Sequence, residues 1–188
     1  MKTSSKTSVS ADHATYAALA AQLRGYAVDL QRGIVHVRIA AQSLSLLQAH
    51  MPAKHYAVST SRHGPGCAQG SYRTPVGLHR IEAMIGDGQP PGTVFRGRRV
   101  AVDDDPGYDD QGYDDPITSR IMWLGGLEAG KNLGAGCDSQ ARYIYIHGTP
   151  HEDRIGQPAS IGCIRMRDRD VIDLFARVRQ NTPVVIEP

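Results

Sequence analysis

The chain has 188 residues, a net charge of +2 and 40% apolar residues. This length allows one well-buried core, so one main domain is expected. The small net charge gives no sign of the clustered basic face that a dedicated nucleic-acid-binding protein needs. No apolar stretch approaches the roughly 20 residues that span a bilayer, so the sequence predicts no transmembrane segment.

Residues 1–32 are predicted to form a polar tail and an amphipathic helix. Four residues fall on one face of this helix: Tyr16, Leu19, Ala20 and Leu23. A secretory signal peptide needs a charged start and a strongly apolar centre. The centre here is mostly alanine and follows Asp12, so an amphipathic helix is the favoured interpretation.

Residues 33–188 are predicted to form a mainly β domain. Alternating apolar residues and turn-forming residues predict strands at 34–39, 43–47, 56–60, 76–81, 117–127, 142–146 and 184–186. Such closely spaced strands favour a sandwich or open barrel of mixed sheets. The apolar spacing over 171–178 predicts one C-terminal helix before the last strand, with Asp168 as its N-cap.

Residues 103–116 contain seven aspartates. Their glycines lack aspartates at the offsets of a calcium-binding EF-hand loop, so no calcium site is predicted. A solvated surface loop is the favoured interpretation, and a lid beside an active-site cleft is the alternative. Arg96, Arg98 and Arg99 are candidate ion-pair partners of these aspartates.

Two of the three cysteines, Cys67 and Cys137, lie in Gly-rich loops. A disulfide between them would fit an oxidising compartment. Two unrelated free thiols are the alternative, because loop cysteines need not lie within bridging distance. No pair of cysteines has the spacing of a structural zinc site, and the sequence predicts no metal and no cofactor.

A histidine and the third cysteine are placed at the ends of two extended segments. The run 143–146 leads into His147, and Cys163 follows after a polar loop. A free cysteine is only a few per cent thiolate at neutral pH, and a neighbouring imidazole activates it by taking its proton. We therefore expect Cys163 to be a nucleophile and His147 its base. A structural histidine and a structural cysteine are the alternative.

Backbone groups beside these two residues have matching expected roles. The carbonyl group of Gly148 or Thr149 is placed to accept the second ring N–H of His147 and to fix its tautomer. The backbone N–H groups of Gly162 and Cys163 are candidate oxyanion donors, since Gly162 allows a substrate carbonyl to approach closely.

The residues Ile146-His147-Gly148-Thr149, followed by 158–166 (Pro-Ala-Ser-Ile-Gly-Cys-Ile-Arg-Met), resemble the signature of the L,D-transpeptidase catalytic domain of the YkuD type. Further segments resemble other strands and a turn of that domain: 34–37, 42–44, 58–61, 74–77 and 182–184. The resemblance covers about residues 33–188.

This resemblance implies a mainly β fold and a covalent reaction on peptidoglycan stem peptides. The Cys163 thiolate would attack the carbonyl group at the L-centre of a diaminopimelate-type residue, and D-Ala would leave. An amine or water would then resolve the thioester, giving transpeptidation or L,D-carboxypeptidation. His147 would act as base and then as acid, with the Gly148 carbonyl group orienting it. Carbapenem-type inhibitors would form covalent adducts.

The resemblance also implies three substrate-binding residues: Arg165, Ser160 and Thr149. The forked donors of Arg165 suit a substrate carboxylate. A structural ion pair of Arg165 with Asp168 or Asp170 is the alternative.

The family implies a periplasmic or cell-wall-facing location, while this chain shows no clear signal peptide and a cytoplasmic location is the alternative. The family usually has Ser-His-Gly-Cys where this chain has Ser160-Ile161-Gly162-Cys163. An isoleucine beside the thiol should disfavour the isolated thiolate, which predicts a slower or differently specific enzyme. The alternatives are a catalytically weak relative that binds wall peptides or a protein partner, and a hydrolase of another peptidoglycan amide bond.

Overall fold

The computed structural model describes residues 4–101 and 116–188, with side chains from residue 10 onward. The predicted acidic segment and its ion pairs therefore lie outside the described residues, apart from Pro116. The described residues contain two α-helices, α1 at Ser4–Gln22 and α2 at Asp168–Phe175. They also contain two short 3₁₀ helices, at Leu30–Arg32 and Glu152–Arg154. Neither these nor any other helix in the described ranges is long and apolar enough to cross a membrane.

The described residues form ten strands. They are β1 Ile34–Arg38, β2 Ser43–Leu47, β3 Lys54–Ala57, β4 Gly77–Ile85, β5 Val94–Arg96, β6 Arg99–Val100, β7 Ile117–Gly126, β8 Tyr145–Gly148, β9 Ile164–Met166 and β10 Pro183–Glu187.

All of these strands belong to one mixed sheet. Its main order is β3-β2-β1-β10-β4-β7-β5-β6, and β8 and β9 branch from β7. Most neighbours are antiparallel, while the pairs β1–β10 and β8–β9 are parallel. The predicted mainly β fold, with a helix at each end of the sheet-forming chain, is confirmed. The strands curl into a single half-barrel rather than forming two separate sheets of a sandwich.

Two predicted strands are displaced, and both displacements shape the functional site. The strand expected at 56–60 ends at Ala57, and Ser59 then forms a single bridge to Arg165. The strand expected at 142–146 begins only at Tyr145. Tyr143 has φ 56°, in the left-handed region, which is incompatible with a continuous strand.

The predicted C-terminal helix is present at Asp168–Phe175, but Asp168 is not its N-cap. Arg167 occupies the N-cap position and makes no side-chain capping hydrogen bond. Asp168 is the first helical residue, and its Oδ1 accepts a hydrogen bond from Thr118 Oγ1 at 2.6 Å. This carboxylate therefore ties the start of α2 to β7.

Apolar side chains bury both faces of the sheet. On the inner face, α2 covers a core that includes Val37, Ile146 and Leu174, all fully buried. On the outer face, α1 covers the sheet with Leu19 and Leu23, two residues of the predicted helical face. Burying a leucine side chain contributes about 1.5–3 kcal/mol, so these contacts hold α1 against the sheet.

His79 on β4 is a fully buried histidine that the fold keeps neutral. Its Nδ1 lies 3.0 Å from the carbonyl oxygen of Gly77, so Nδ1–H donates and Nε2 accepts from the Ser139 hydroxyl, also at 3.0 Å. Burial lowers the pKa of His79 from 6.5 to about 4, against smaller opposing effects of the Gly77 hydrogen bond and Glu128.

His79 should therefore make stability depend on pH. Between the unfolded pKa of 6.5 and the folded pKa of about 4, only the unfolded chain binds this proton. We expect the free energy of unfolding to fall as the pH is lowered through this window, by on the order of 3 kcal/mol from this group. In His79→Gln that component should be missing. Denaturant unfolding of both proteins from pH 8 to pH 4 measures this component. If the free energy of unfolding fell equally with pH in both proteins, the component could not be assigned to His79.

Candidate active site

The parallel pair β8–β9 brings the two segments singled out in the sequence together. In its register His147 lies opposite Arg165, and Ile146 lies opposite Ile164. Because successive side chains of a strand point to opposite faces, Ile146 and Ile164 enter the core while His147 and Arg165 share the other face. Cys163 immediately precedes β9, at the same edge of the sheet.

The thiol of Cys163 is half-buried. Its Sγ–H donates to the backbone carbonyl group of Tyr143 at 3.4 Å. The side chain packs against a small apolar cluster formed by Phe95, Ile121 and Tyr145. Tyr143 and Tyr145 come from the segment that leads into His147, so one stretch of chain carries the histidine and contacts the thiol.

His147 is 1% exposed, and its ring orientation is fixed by the backbone. Nδ1 lies 2.7 Å from the carbonyl oxygen of Gly148. Since a carbonyl oxygen only accepts, Nδ1 carries the proton, and Nε2 is the basic nitrogen of the neutral ring. Gly148 itself is sterically required, because a Cβ there would overlap Thr118 and the Asp168 carboxylate.

The loop that carries Cys163, residues 155–163, is called the cysteine loop, and side-chain hydroxyl groups hold it in place. Ser160 Oγ donates to the Cys163 carbonyl oxygen at 2.6 Å and accepts from the Gly162 N–H at 3.2 Å. Thr74 Oγ1 donates to the Gly162 carbonyl oxygen at 2.9 Å and accepts from the Ser61 N–H at 3.0 Å. Gly162 has φ +139°, a conformation that other residues rarely adopt, which explains the glycine before the cysteine.

These contacts bear on the predicted oxyanion donors. The N–H of Gly162 already donates to Ser160, so a substrate oxygen would have to replace that hydrogen bond. Sequence reasoning did not detect this, because the Ser160 hydroxyl was expected to face substrate.

Two of the predicted substrate-binding residues lie beneath the surface. Ser160 and Thr149 are both fully buried. Thr149 Oγ1 accepts from the His151 N–H at 3.2 Å, and its own N–H donates to the Met166 carbonyl oxygen. Both side chains bond to backbone in the structure, and they shape the loops beside β8 and β9.

Arg165 is 3% exposed, and its Nη2 donates to the Ala159 carbonyl oxygen at 3.2 Å. The two carboxylates considered as its structural partners have other contacts. Asp168 accepts from Thr118, and Asp170 lies within ion-pair distance of Arg167 and Arg169.

An aromatic wall flanks the thiol, and the sequence pattern did not reveal it. The Trp123 ring stacks on Tyr143, with centroids 5.9 Å apart, and meets Tyr145 edge-on at 5.8 Å. The Arg98 guanidinium lies 4.7 Å from the Trp123 centroid and donates to the Tyr145 hydroxyl. Burial raises the pKa of Tyr145 to about 12, against the opposing effect of Arg98. Only the distant pairing of β7 with β8 unites these residues.

The two remaining cysteines are free thiols, which is the second of the two alternatives left open by the sequence. Cys67 Sγ–H donates to the Val76 carbonyl oxygen at 3.7 Å, whereas Cys137 bonds within its own loop. Within residues 4–101 and 116–188, no group of three or more His, Cys, Asp or Glu side chains is placed to hold a metal.

With this geometry established, comparison with known proteins identifies the family. The model of the YkuD L,D-transpeptidase catalytic domain matches residues 32–186. The chain belongs to this family.

Individual relatives agree with the YkuD assignment. A putative L,D-transpeptidase YkuD of Bacillus licheniformis is 49% identical over 43 residues, which are 23% of this chain and 26% of that protein. The sequence-based recognition of an L,D-transpeptidase domain is therefore confirmed.

Solved structures show the same fold at low sequence identity. An L,D-transpeptidase from Mycobacterium smegmatis matches with a TM-score of 0.50 at 16% identity, covering 82% of this chain and 58% of that one. L,D-transpeptidase 3 from Mycobacterium tuberculosis, bound to a faropenem-derived adduct, gives 0.51 at 16% identity over 82% and 60%. The Ldtfm–avibactam carbamoyl enzyme gives 0.54 at 15% identity over 84% and 49%. The chain thus spans about half to three fifths of the length of these structures.

The Thr74 hydroxyl provides a test of how this YkuD domain holds its cysteine loop. Thr74→Val removes both hydrogen bonds of a fully buried hydroxyl and leaves the Gly162 carbonyl group without this donor. We expect a loss of about 1–3 kcal/mol in the free energy of unfolding. Thr74→Ser keeps the hydroxyl and is the matched control. Denaturant unfolding, combined with the rate of Cys163 alkylation, measures the effect. Equal stability and equal alkylation of the two variants would contradict the role.

Proposed function

We propose that this chain is a cysteine-dependent L,D-transpeptidase or L,D-carboxypeptidase that acts on peptidoglycan stem peptides. Family membership supports the reaction class. The observation that carries the residue assignment is the hydrogen bond between His147 Nδ1 and the Gly148 carbonyl oxygen. It leaves Nε2 as the base at the sheet edge that also carries the Cys163 thiol.

The proposed first half-reaction forms a thioester. His147 Nε2 takes the proton of the Cys163 thiol, and the thiolate attacks the carbonyl carbon at the L-centre of a diaminopimelate-type residue. As the tetrahedral intermediate collapses, the C–N bond to D-Ala breaks. The protonated His147 gives its proton to the leaving amine.

The second half-reaction distinguishes the two activities. An acceptor amine that loses its proton to His147 attacks the thioester and forms a new amide, which is transpeptidation. Water in the same position gives a free carboxylate, which is L,D-carboxypeptidation. In both reactions the Cys163 thiol is regenerated.

Backbone N–H groups at the cysteine are proposed to stabilise the oxyanion. The N–H of Cys163 is the principal candidate, because that of Gly162 already donates to Ser160. Arg165 is proposed to orient the substrate from beneath the site. Ser160 and Thr149, initially expected to bind substrate directly, are proposed to act by shaping the loops.

A weakly catalytic protein that binds wall peptides is the second candidate. Ile161 favours it, because the residue beside the thiol is partly buried and apolar and should disfavour the thiolate. The N–H of Gly162 also favours the binding protein, because it already donates to Ser160 and is not open to an oxyanion. For either candidate, access to stem peptides implies a periplasmic or wall-facing location, which we include in the proposal.

The function is tested with purified muropeptides that carry tetrapeptide stems. We expect the wild-type protein to release D-Ala, accompanied by cross-linked dimers if an amine is the acceptor. Cys163→Ala and His147→Ala should each lower D-Ala release by at least about a thousandfold, as loss of a nucleophile or base does in related covalent mechanisms. Mass spectrometry of released D-Ala and of dimers reads out both products.

Carbapenem labelling separates the two candidates. Intact-mass measurement should show one adduct on the wild-type protein and none on Cys163→Ala, while Cys137→Ala, which alters a thiol bonded within its own loop, should retain the adduct. Stem-peptide binding without an adduct and without D-Ala release would favour the binding protein.

Ile161 can be tested by restoring the histidine that is usual in the family. In Ile161→His we expect a lower apparent pKa of the Cys163 thiol and faster D-Ala release, because a polar neighbour replaces an apolar one. Ile161→Leu is the apolar control. Alkylation rates across a pH series measure the apparent pKa, and an unchanged rate and pKa would count against an inhibitory effect of Ile161.

A further inference from the structure

Arg142 lies in the turn before β8, and its side chain is hydrogen-bonded to segment 66–73. Its Nη1 lies 3.3 Å from the Gly66 carbonyl oxygen and 3.0 Å from that of Cys67. Its Nη2 donates to the Arg73 carbonyl oxygen at 2.6 Å and lies 3.5 Å from Ser71 Oγ. One half-buried guanidinium group therefore gathers backbone acceptors from both ends of the segment 66–73.

These contacts place the guanidinium group near the thiol. The Arg73 carbonyl oxygen that accepts from Arg142 lies 3.7 Å from the position of a Cβ at Gly162, the residue before Cys163. Arg142 also precedes Tyr143, whose carbonyl group accepts from the Cys163 thiol. Arg142 thus borders the cysteine loop from two directions.

The electrostatics agree with this placement. Burial lowers the pKa of Arg142, and the thiols of Cys67, Cys163 and Cys137 act in the opposite direction. This interaction is reciprocal, so the positive charge of Arg142 favours the thiolate form of Cys163. Within the described part of the chain, the side-chain hydrogen bonds of Arg142 go to neutral carbonyl and hydroxyl oxygens, and none goes to a carboxylate.

We propose that Arg142 is a positioning residue of the active site, which braces the cysteine loop through segment 66–73 and supplies a positive charge that stabilises the Cys163 thiolate. The inference rests on the proposed function in taking Cys163 as the nucleophile. It explains how a thiol with Ile161 as its neighbour is activated: the charge comes from the opposite side of the loop.

Other titratable or charged groups lie on the segments that contact the thiol or Arg142, and the test must separate Arg142 from them. They lie on β8 and the turn before it, on β9, on the β5–β6 turn and on the loops 66–73 and 133–141: His147, Tyr143, Tyr145, Arg165, Arg98, Cys67, Arg73, Cys137 and Asp138. Arg142 is distinguished from them by its hydrogen bond to the Arg73 carbonyl oxygen, which lies beside Gly162.

The experiment measures the alkylation rate of each cysteine by iodoacetamide against pH, resolved by peptide mass spectrometry on the full chain. In Arg142→Met we expect the apparent pKa of Cys163 to rise by about half a unit to one unit, as loss of a nearby opposite charge predicts. At pH 7 this lowers the thiolate fraction, and with it alkylation, by about three- to tenfold.

Three further variants separate charge from position. Arg142→Lys keeps the charge but loses the two separate donor nitrogens of the guanidinium group. The pKa of Cys163 should therefore stay near its wild-type value, while the kcat for D-Ala release falls. Arg142→Gln keeps a donor without the charge and should resemble Arg142→Met in pKa. Arg24→Met removes an exposed positive charge at the end of α1 and should change neither quantity. Melting temperatures show that each variant is folded.

The outcomes are distinct. A raised pKa in Arg142→Met and Arg142→Gln, but not in Arg142→Lys, supports the proposal. An unchanged pKa of Cys163 in Arg142→Met and Arg142→Gln overturns it. An equal rise of this pKa in all three Arg142 variants overturns it as well. Alkylation needs no wall substrate. An Arg142-dependent pKa without D-Ala release would therefore reject the proposed function while retaining the effect of Arg142 on the thiol.

Discussion

The parallel pairing of β8 with β9 is the constraint on which the site depends. It joins residues separated by a 15-residue connection and sets His147 level with Arg165. Because the pleat alternates, the same register sends Ile146 and Ile164 into the core. A slip of one residue would reverse both faces, exposing the isoleucines and burying the histidine on the wrong side. Burial of the core and alignment of the site are therefore one structural requirement.

Three hydrogen bonds between neutral groups hold the loop that carries the cysteine. Ser160 bonds within the loop, Thr74 reaches it from a neighbouring segment, and Tyr143 accepts from the thiol itself. In each of these hydrogen bonds the acceptor is a backbone carbonyl oxygen. Such a loop holds the thiol in place, whereas the protonation state of the thiol depends on the charges nearby.

Those charges are arranged asymmetrically around the thiol. The apolar residue Ile161 precedes the cysteine by two positions, whereas Arg142 donates to neutral carbonyl oxygens of segment 66–73. In water a cation several ångströms away would be well screened, but partial burial lowers the effective dielectric constant and extends its influence. The proposal thus makes the reactivity of Cys163 depend on a residue that is distant from it in the sequence.

The sequence by itself determined the family and the mainly β fold, and it predicted the pairing of His147 with Cys163. These follow from local patterns: alternation within strands, the glycine beside His147 and the glycine beside Cys163. It also identified Gly148 as the source of the carbonyl group that meets the histidine ring, since that contact is made by a sequence neighbour.

Only the tertiary structure decided what surrounds that pair. It buried Ser160 and Thr149, left Cys67 and Cys137 as free thiols, and brought Arg142 behind the cysteine loop. Each of these depends on where separate loops meet once the sheet has curled. Local patterns specify strands and turns, whereas the distance between two loops is set by the register and curvature of the whole sheet, which no short stretch of sequence encodes.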